Sequence, residues 1–334
     1  MQWLGGIGII VMAITILPLL KVGGMQLFKM EGPLSTEKIL PRTLEVATIL
    51  ILTYFVLTSL CAFFYWLFGM SIFDSIAHAL TTLATGGFST HDASIAHFNN
   101  ATVDIIVTLG MFMGSLPFLL YLSAVRGSPG SLFRDSQVQW FVTVLAVVII
   151  LVAGWLWIDI GLSPLRAIQL SSFNVVSIMT GTGYATAGFD TWGSLAVPVF
   201  FFIMFIGGCA GSTAGGIKLV RVLMVYLQGM REVRRLIHPN GVFPIKLGKT
   251  PVSDRLIESV WSFLSVYVLL FALSVILIML TSELDFITAF SAVGATLNNL
   301  GPGLGDVSSN YAGLDADVKW VLMFNMMLGR LEIF

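Results

Sequence analysis

The chain has 334 residues, 57% of them hydrophobic and only 10% charged, with a formal net charge of -1. Soluble proteins carry about 25% charged residues, so together with a mean hydropathy of +0.93 the composition is that of an integral membrane protein. Near-neutrality excludes nucleic-acid binding, which needs a basic face to displace counterions from phosphate. The two cysteines, Cys61 and Cys209, have neither disulfide nor metal-site spacing, and packing in a core or pore wall is their expected role.

Met1-Gln2-Trp3-Leu4 enters an apolar helix at once, without the charged start or cleavage site of a signal peptide. A spanning helix needs about 20 mostly apolar residues. Residues 3–20, 44–68, 103–125, 140–160 and 260–280 meet that test. The stretch 195–206 is too short alone but resumes at 217–227 after the glycine-rich run 207–216, and a last candidate covers 318–334. Seven spans are expected, one of them broken. Between certain spans lie apolar stretches too short to cross, at 72–84, 164–179 and 286–297. Each follows a helix-start cue: Ser71 and Asp74, Ser163-Pro164, and Ser282 with Asp285. Each runs into a turn: Thr85-Gly86-Gly87-Phe88-Ser89, Gly181-Thr182-Gly183-Tyr184-Ala185, and Asn299-Leu300-Gly301-Pro302-Gly303. The order span, half-helix, turn, span thus recurs three times, about 100 residues apart. The chain stops inside an apolar helix at Glu332-Ile333-Phe334, and both ends read as cut from a longer protein.

All but three of the 17 Lys and Arg residues fall in the connections 21–42, 126–134 and 218–255. The positive-inside rule makes these cytoplasmic and places the half-helices and turns outside. The outer side also holds Asp74, Asp92, Asp190, Glu283, Asp285, Asp306, Asp315 and Asp317. Such a vestibule would concentrate cations, although for each acid alone helix capping or loop solvation is the simpler role.

Glycine-rich irregular backbone at membrane depth is tolerated only where it lines water or is buried in protein. Repeated around one axis, it aims carbonyl oxygens at a common point and replaces the hydration shell of a cation. Glycine supplies dihedrals that a Cβ resists, threonine adds a small oxygen ligand, and a following aromatic (Phe88 or Tyr184) can wedge the turn against its half-helix. The half-helix C-termini add partial negative charge. These terms favour a cation without strongly separating potassium from sodium, with a lean toward the ion that dehydrates more readily. The expected ligands are the backbone carbonyls of Thr85, Gly86, Gly87, Gly181, Thr182, Gly183, Asn299, Leu300 and Gly301.

The run 207–216, with Gly207, Gly208, Gly211, Ser212, Thr213, Gly215 and Gly216, suits either a rearranging loop or close helix packing through small residues. Its near-match to a phosphate loop fails, because the lysine is displaced by one position and no strand precedes it. Arg330 lies inside an apolar helix, where a charge marks function unless it pairs with Glu332 or snorkels to the interface. Asp74 and His78 are spaced to touch, but no nucleophile phrase accompanies His78, His91, His97 or His238. Structural hydrogen bonding is expected of them, and no enzymatic activity.

The phrases Gln2-Trp3-Leu4-Gly5-Gly6, Thr81 to Thr90 around Thr85-Gly86-Gly87, Thr182-Gly183-Tyr184-Ala185-Thr186, Asn298-Asn299-Leu300-Gly301-Pro302-Gly303 and Leu328-Gly329-Arg330-Leu331-Glu332 make the chain resemble the Trk/Ktr/HKT superfamily of potassium transporters, and within it the bacterial TrkH group. The resemblance covers essentially the whole chain. It implies an all-α integral membrane fold of pseudo-fourfold repeats (helix, pore helix, filter loop, helix) around a central ion pore, with three filter repeats present and Gly87, Gly183 and Gly301 as central filter glycines. The implied organisation is: 1–20, second helix of repeat one; 21–42, cytoplasmic connection; 43–125, repeat two with filter 85–89; 126–139, connection; 140–229, repeat three with filter 181–185 and gate 207–216; 230–255, connection; and 256–334, repeat four with filter 299–303. Repeat one would have to precede Met1, so the isolated chain is expected not to enclose a complete filter or to conduct potassium in liposomes.

The resemblance further implies potassium uptake through the bacterial inner membrane. The 207–216 loop acts as a gate beneath the filter, with Arg330 projecting into the pore. It also implies a homodimer and a cytosolic TrkA-type regulatory subunit, through which alone ATP, ADP or NAD would act. The basic connection at 230–255 fits docking of that subunit or contact with anionic lipid equally well. No covalent cofactor is expected; the metal is the transported potassium. The alternative is a sodium- or proton-coupled symport, whose expected sign, inverted repeats with ionisable residues at mid-membrane, is missing from the sequence.

Overall fold

The computed structural model describes residues 1–15, 43–248 and 250–331. The rest of the 3–20 span, the connection at 21–42, Lys249 and Glu332 lie outside the described residues. Within them the chain runs α1 (Gln2–Thr15), α2 (Thr43–Leu67), α3 (Ile72–Leu83), α4 (Ala101–Gly114) and α5 (Phe118–Val125). It continues through α6 (Ser131–Arg134), α7 (Ser136–Ile158), α8 (Pro164–Met179) and α9 (Ala196–Ile203). A short parallel pair follows, β1 (Ile206–Gly207) with β2 (Ile217–Lys218), and then α10 (Leu219–Ile237). A small antiparallel pair, β3 (Lys246–Leu247) with β4 (Thr250–Pro251), precedes α11 (Asp254–Thr281), α12 (Phe286–Leu297) and α13 (Ala316–Leu331).

Among the described residues α2, α7 and α11 are long and apolar enough to cross a bilayer, and only 28%, 28% and 22% of their apolar windows is buried in protein. So much outward apolar surface belongs against lipid tails. Each long helix packs on the half-helix that follows it: α2 on α3, α7 on α8, α11 on α12. The helix after each turn then closes the repeat and reaches its neighbour, as α4 does by packing on both α3 and α8. The buried centre is rich in large side chains, among them Tyr54, Tyr65, Phe118, Phe141, Tyr184 and Phe200.

The half-helices begin where capping chemistry says they should. The Ser71 hydroxyl accepts from the Asp74 amide, the Ser163 hydroxyl from the Arg166 amide with Pro164 next in line, and the Asp285 carboxylate from the Ile287 and Thr288 amides. Ser282, expected to share that last role, instead follows the end of α11.

Seven spans do not all stand as single helices. The span expected to be continuous over 103–125 is broken: α4 and α5 meet at 92° across Ser115-Leu116-Pro117. Hydropathy over 103–125 is uninterrupted, so a composition test passes it. Pro117, which lacks an N–H and disfavours helical backbone in the residue before it, turns the chain there. The break at 204–218 is the second interruption, and the two breaks face one another.

Candidate ion-conduction site

The three half-helices end in the same way, bond for bond. In each turn the amide of the first residue donates to the carbonyl three residues back: Thr85 to Thr82 at 3.0 Å, Gly181 to Ile178 at 3.0 Å, Asn299 to Thr296 at 3.1 Å. The amide of the second donates five residues back: Gly86 to Thr81 at 2.8 Å, Thr182 to Ser177 at 3.0 Å, Leu300 to Ala295 at 2.8 Å. This pair of bonds is the Schellman ending, which requires a left-handed residue after the cap. Accordingly φ is +48° at Thr85, +70° at Gly181 and +55° at Asn299. A Schellman ending alone is ordinary. Here a second left-handed residue follows two positions on, with φ of +66° at Gly87, +83° at Gly183 and +105° at Gly301, while Gly86, Thr182 and Leu300 between them are not left-handed. Alternating hand turns successive carbonyls to one side of the chain instead of to opposite sides. A β-branched residue in the left-handed region, such as Thr85, is held at about 1–2 kcal/mol of strain, and strain of this kind clusters at functional sites.

The turns also touch in sequence. A Cβ added to Gly87 would lie 1.8 Å from the Thr182 carbonyl oxygen, and one added to Gly183 would lie 2.0 Å from that of Leu300. The second left-handed glycine of each of these turns therefore presses on the middle carbonyl of the next. The middle carbonyl of the first turn, that of Gly86, accepts instead from Gln2 Nε2 at 3.0 Å. Behind the second turn Tyr184 is fully buried and crosses to the neighbouring half-helix, where its hydroxyl meets Thr81 Oγ1 at 2.5 Å and donates to the His78 carbonyl at 3.1 Å. The hydroxyls of Thr81 and Ser177, equivalent in the two repeats, donate to the carbonyls of Phe88 and Tyr184. Outside the turns, the Thr90 and Ser71 hydroxyls hold the Asp74 carboxyl below the usual carboxylate range, and the Thr288 hydroxyl does the same for Asp285. Both acids are ionised at neutral pH.

Directly beneath lies the loop between β1 and β2. Thr213 Oγ1 donates to the carbonyls of Leu83 at 2.9 Å and Gly114 at 3.0 Å, and Thr85 Oγ1 lies 3.3 Å from it. Cβ atoms on Gly181 and Gly215 would meet, respectively, Gly215 N at 3.4 Å and the Asn298 carbonyl oxygen at 2.7 Å. One loop thus reaches the inner ends of all three half-helices. Its backbone is satisfied largely by the α4–α5 break: Cys209 N donates to Ser115 O, Thr213 N to Gly114 O, and Phe118 N to Gly211 O. Two cations grip adjacent loop carbonyls, Arg330 Nη1 on Thr213 O at 3.2 Å and the buried Lys218 ammonium on Ala214 O.

The family model for TrkH, described as a cation transport protein, matches residues 1–334. The Trk system potassium uptake protein TrkH of Halomonas elongata is 44% identical over 337 residues, covering 100% of this chain and 70% of that protein. Its Escherichia coli K12 counterpart is 44% identical over 339 residues with the same coverage, and Trk system potassium uptake protein TrkG of that organism is 36% identical over 338 residues, covering 100% of this chain and 69% of its own length. The crystal structure of the potassium transporter TrkH from Vibrio parahaemolyticus superposes with a TM-score of 0.89 at 40% identity, over 100% of this chain and 69% of that one. The chain belongs to the TrkH family. It is a multi-pass membrane protein for cation transport, and not an enzyme.

The TrkH-family chain brings all nine turn residues and the 207–216 loop together, with Arg330 bonded to the loop. Other expectations are corrected. Phe88 wedges nothing, being 68% exposed where Tyr184 is 1%. His78 does not meet the Asp74 carboxylate: its Nδ1–H donates to the Asp74 carbonyl at 2.8 Å and its Nε2 lies 2.9 Å from Ser89 Oγ, a structural tie that secures the end of the first turn. Asp285 is a helix cap, as the simpler reading of the acids held. Cys61 and Cys209 are both buried and form no disulfide. Two features went unread. Lys218, counted with the cytoplasmic connection 218–255 and with the failed phosphate loop, is instead buried against Ala214 O, and its place two residues after a glycine-rich run is the signal for that role. The α4–α5 break was signalled by Pro117.

Proposed function

We propose that potassium enters the cell along an axis to which this chain contributes three turns, the carbonyls of Thr85, Gly86, Gly87, Gly181, Thr182, Gly183, Asn299, Leu300 and Gly301 serving as ion ligands. The observation that carries the proposal is the repeated left-handed pair in each turn, together with the contacts from Gly87 to Thr182 and from Gly183 to Leu300. Carbonyl oxygens, half-helix C-termini and the ionised Asp74 and Asp285 outside all favour a cation and repel an anion. Potassium in particular is named for the relatives from Halomonas elongata and Escherichia coli. In this reading 43–125, 140–229 and 256–334 are successive filter repeats joined by cytoplasmic connections, and 1–20 is the inner helix of the repeat before them.

The 207–216 loop is the gate. It lies across the inner ends of the half-helices, its glycines rearrange at low steric cost, and Arg330 both tethers it and sets a positive charge against an approaching cation. A cytosolic TrkA-type subunit with bound ATP, ADP or NAD drives the loop, and the membrane subunit pairs as a dimer. These last roles rest on family likeness. None of the nine turn residues is ionisable, which favours passive permeation over sodium- or proton-coupled symport. Current recorded from reconstituted protein discriminates: a reversal potential that follows the potassium gradient alone is expected, and one that moves with the sodium or proton gradient overturns the reading.

A further inference from the structure

The three turns close their half-helices alike, but they are not tied down alike. Four residues before the first residue of each turn stand Thr81, Ser177 and Ala295, and three residues after it stand Phe88, Tyr184 and Pro302. In the first two repeats the hydroxyl on the half-helix reaches that later residue: Thr81 Oγ1 donates to Phe88 O at 2.9 Å and Ser177 Oγ to Tyr184 O at 2.6 Å. Each bond anchors the carbonyl directly after the second left-handed glycine, Gly87 or Gly183. Ala295 has no hydroxyl, so the same bond cannot form in the third repeat. A hydroxyl arrives from elsewhere. Tyr311, in the connection between α12 and α13, donates to Gly301 O at 2.6 Å, at the short end of the range for an O–H···O bond. Its ring is partly buried against the apolar cluster of α11, α12 and α13, so packing aims the hydroxyl at the turn.

The substitution has a consequence for the ion, because the bond falls one residue earlier. Phe88 O and Tyr184 O lie just past the carbonyls assigned as ligands, whereas Gly301 O is one of them. A carbonyl oxygen carries two lone pairs. Tyr311 engages one of them, which leaves the other for a cation while fixing the direction of the carbonyl and lowering the field it presents. Selection between potassium and sodium rests on the size of the cage or on the field strength of its carbonyl dipoles. A tethered oxygen cannot follow a small ion inward, and a weakened one attracts it less. On either account the bond favours the larger ion.

We propose that Tyr311 is a positioning residue for ion selection, its hydroxyl holding the Gly301 carbonyl so that the third turn prefers potassium to sodium. The inference rests on the reading of the turn carbonyls as ion ligands. Tyr311→Phe tests it, since it removes one oxygen and keeps the ring. Rubidium uptake is measured in cells whose only uptake route is this protein, with sodium as the competitor, and the ratio of the sodium inhibition constant to the rubidium KM is compared with that of the parent. The expected result is a ratio lowered about two- to ten-fold, the scale of one neutral hydrogen bond, with a thermal midpoint within about 3 °C of the parent. Gly183→Ala, measured alongside, separates this inference from the reading beneath it. If Gly183→Ala alters the ratio and Tyr311→Phe does not, the role of Tyr311 is overturned and the ligand reading stands; if neither alters it, both fall. A raised ratio in Tyr311→Phe overturns the proposal as well. So does a lowered ratio that comes with a larger loss of thermal midpoint, which assigns Tyr311 to packing of its loop.

Discussion

Replacing Gly183 by alanine tests the ring of turns most directly. The added Cβ would lie 2.0 Å from Leu300 O and 3.0 Å from Pro302 Cδ, where real Cβ atoms essentially never approach below 3.0 Å. The third turn must therefore retreat by at least about 1 Å, or the second must leave its φ of +83°. Left-handed backbone costs an alanine about 1–2 kcal/mol, and forcing an extra carbon into a packed site costs about 1–3 kcal/mol. The sum of about 2–5 kcal/mol corresponds to a loss of roughly thirty-fold to several-thousand-fold in the population with native turn geometry. The assay is rubidium or potassium uptake by cells whose only uptake route is this protein, normalised to membrane expression. Gly154→Ala is the control, since that helical glycine has nothing within 4 Å of an added Cβ; it should be neutral. Wild-type uptake and ion preference in Gly183→Ala would refute the argument that these carbonyls are ligands held in register by glycine.

Arg330→Ala removes both a loop tether and a positive charge, and uptake should rise several-fold; unchanged flux in the same cells counts against the gate. Lys218→Met keeps the bulk of a buried side chain while deleting its bond to Ala214 O, and should also raise uptake, with increased proteolytic or thiol-labelling access at 209–215 as the structural readout. Tyr184→Phe leaves Thr81 and the His78 carbonyl with one fewer partner in a buried site; a loss of about 1–3 kcal/mol in thermal or denaturant stability is expected, accompanied by weaker discrimination between potassium and sodium. The bonds from Asp74 to Ser71 and Thr90 should respond to pH in one direction only. Its folded pKa is depressed, so the stabilisation is fully present above the unfolded value of about 3.9 and is lost as pH falls through the lower folded value. Hydrogen-exchange protection of the 89–99 loop should hold across neutral and mildly acidic pH and drop only below about pH 4.

What could be read from the residues was what depends on local chemistry. Ser71, Ser163 and Asp285 open the half-helices because their side chains satisfy amides within three residues. Thr85-Gly86-Gly87 and its counterparts close them because left-handed backbone favours glycine and admits few other residues. The expected cytoplasmic and outer sides rest on where Lys and Arg lie in the sequence. Register between distant segments could not be read in this way. That Gly87 faces Thr182 and Gly183 faces Leu300, that Tyr184 and not Phe88 fills the space behind a turn, and that Lys218 and Arg330 grip adjoining carbonyls are relations across 95 or more positions of chain. Lys218 with Ala214 is the exception in span, four residues apart, but only the folded loop brings its ammonium inward. The α4–α5 break shows the same division: Pro117 announces a turn locally, while its use, pairing exposed amides and carbonyls with the 207–216 loop, exists only once both broken helices meet. Buried backbone groups must find partners, and where a glycine-rich segment gives up its own helical bonds, the choice of partner belongs to the tertiary structure.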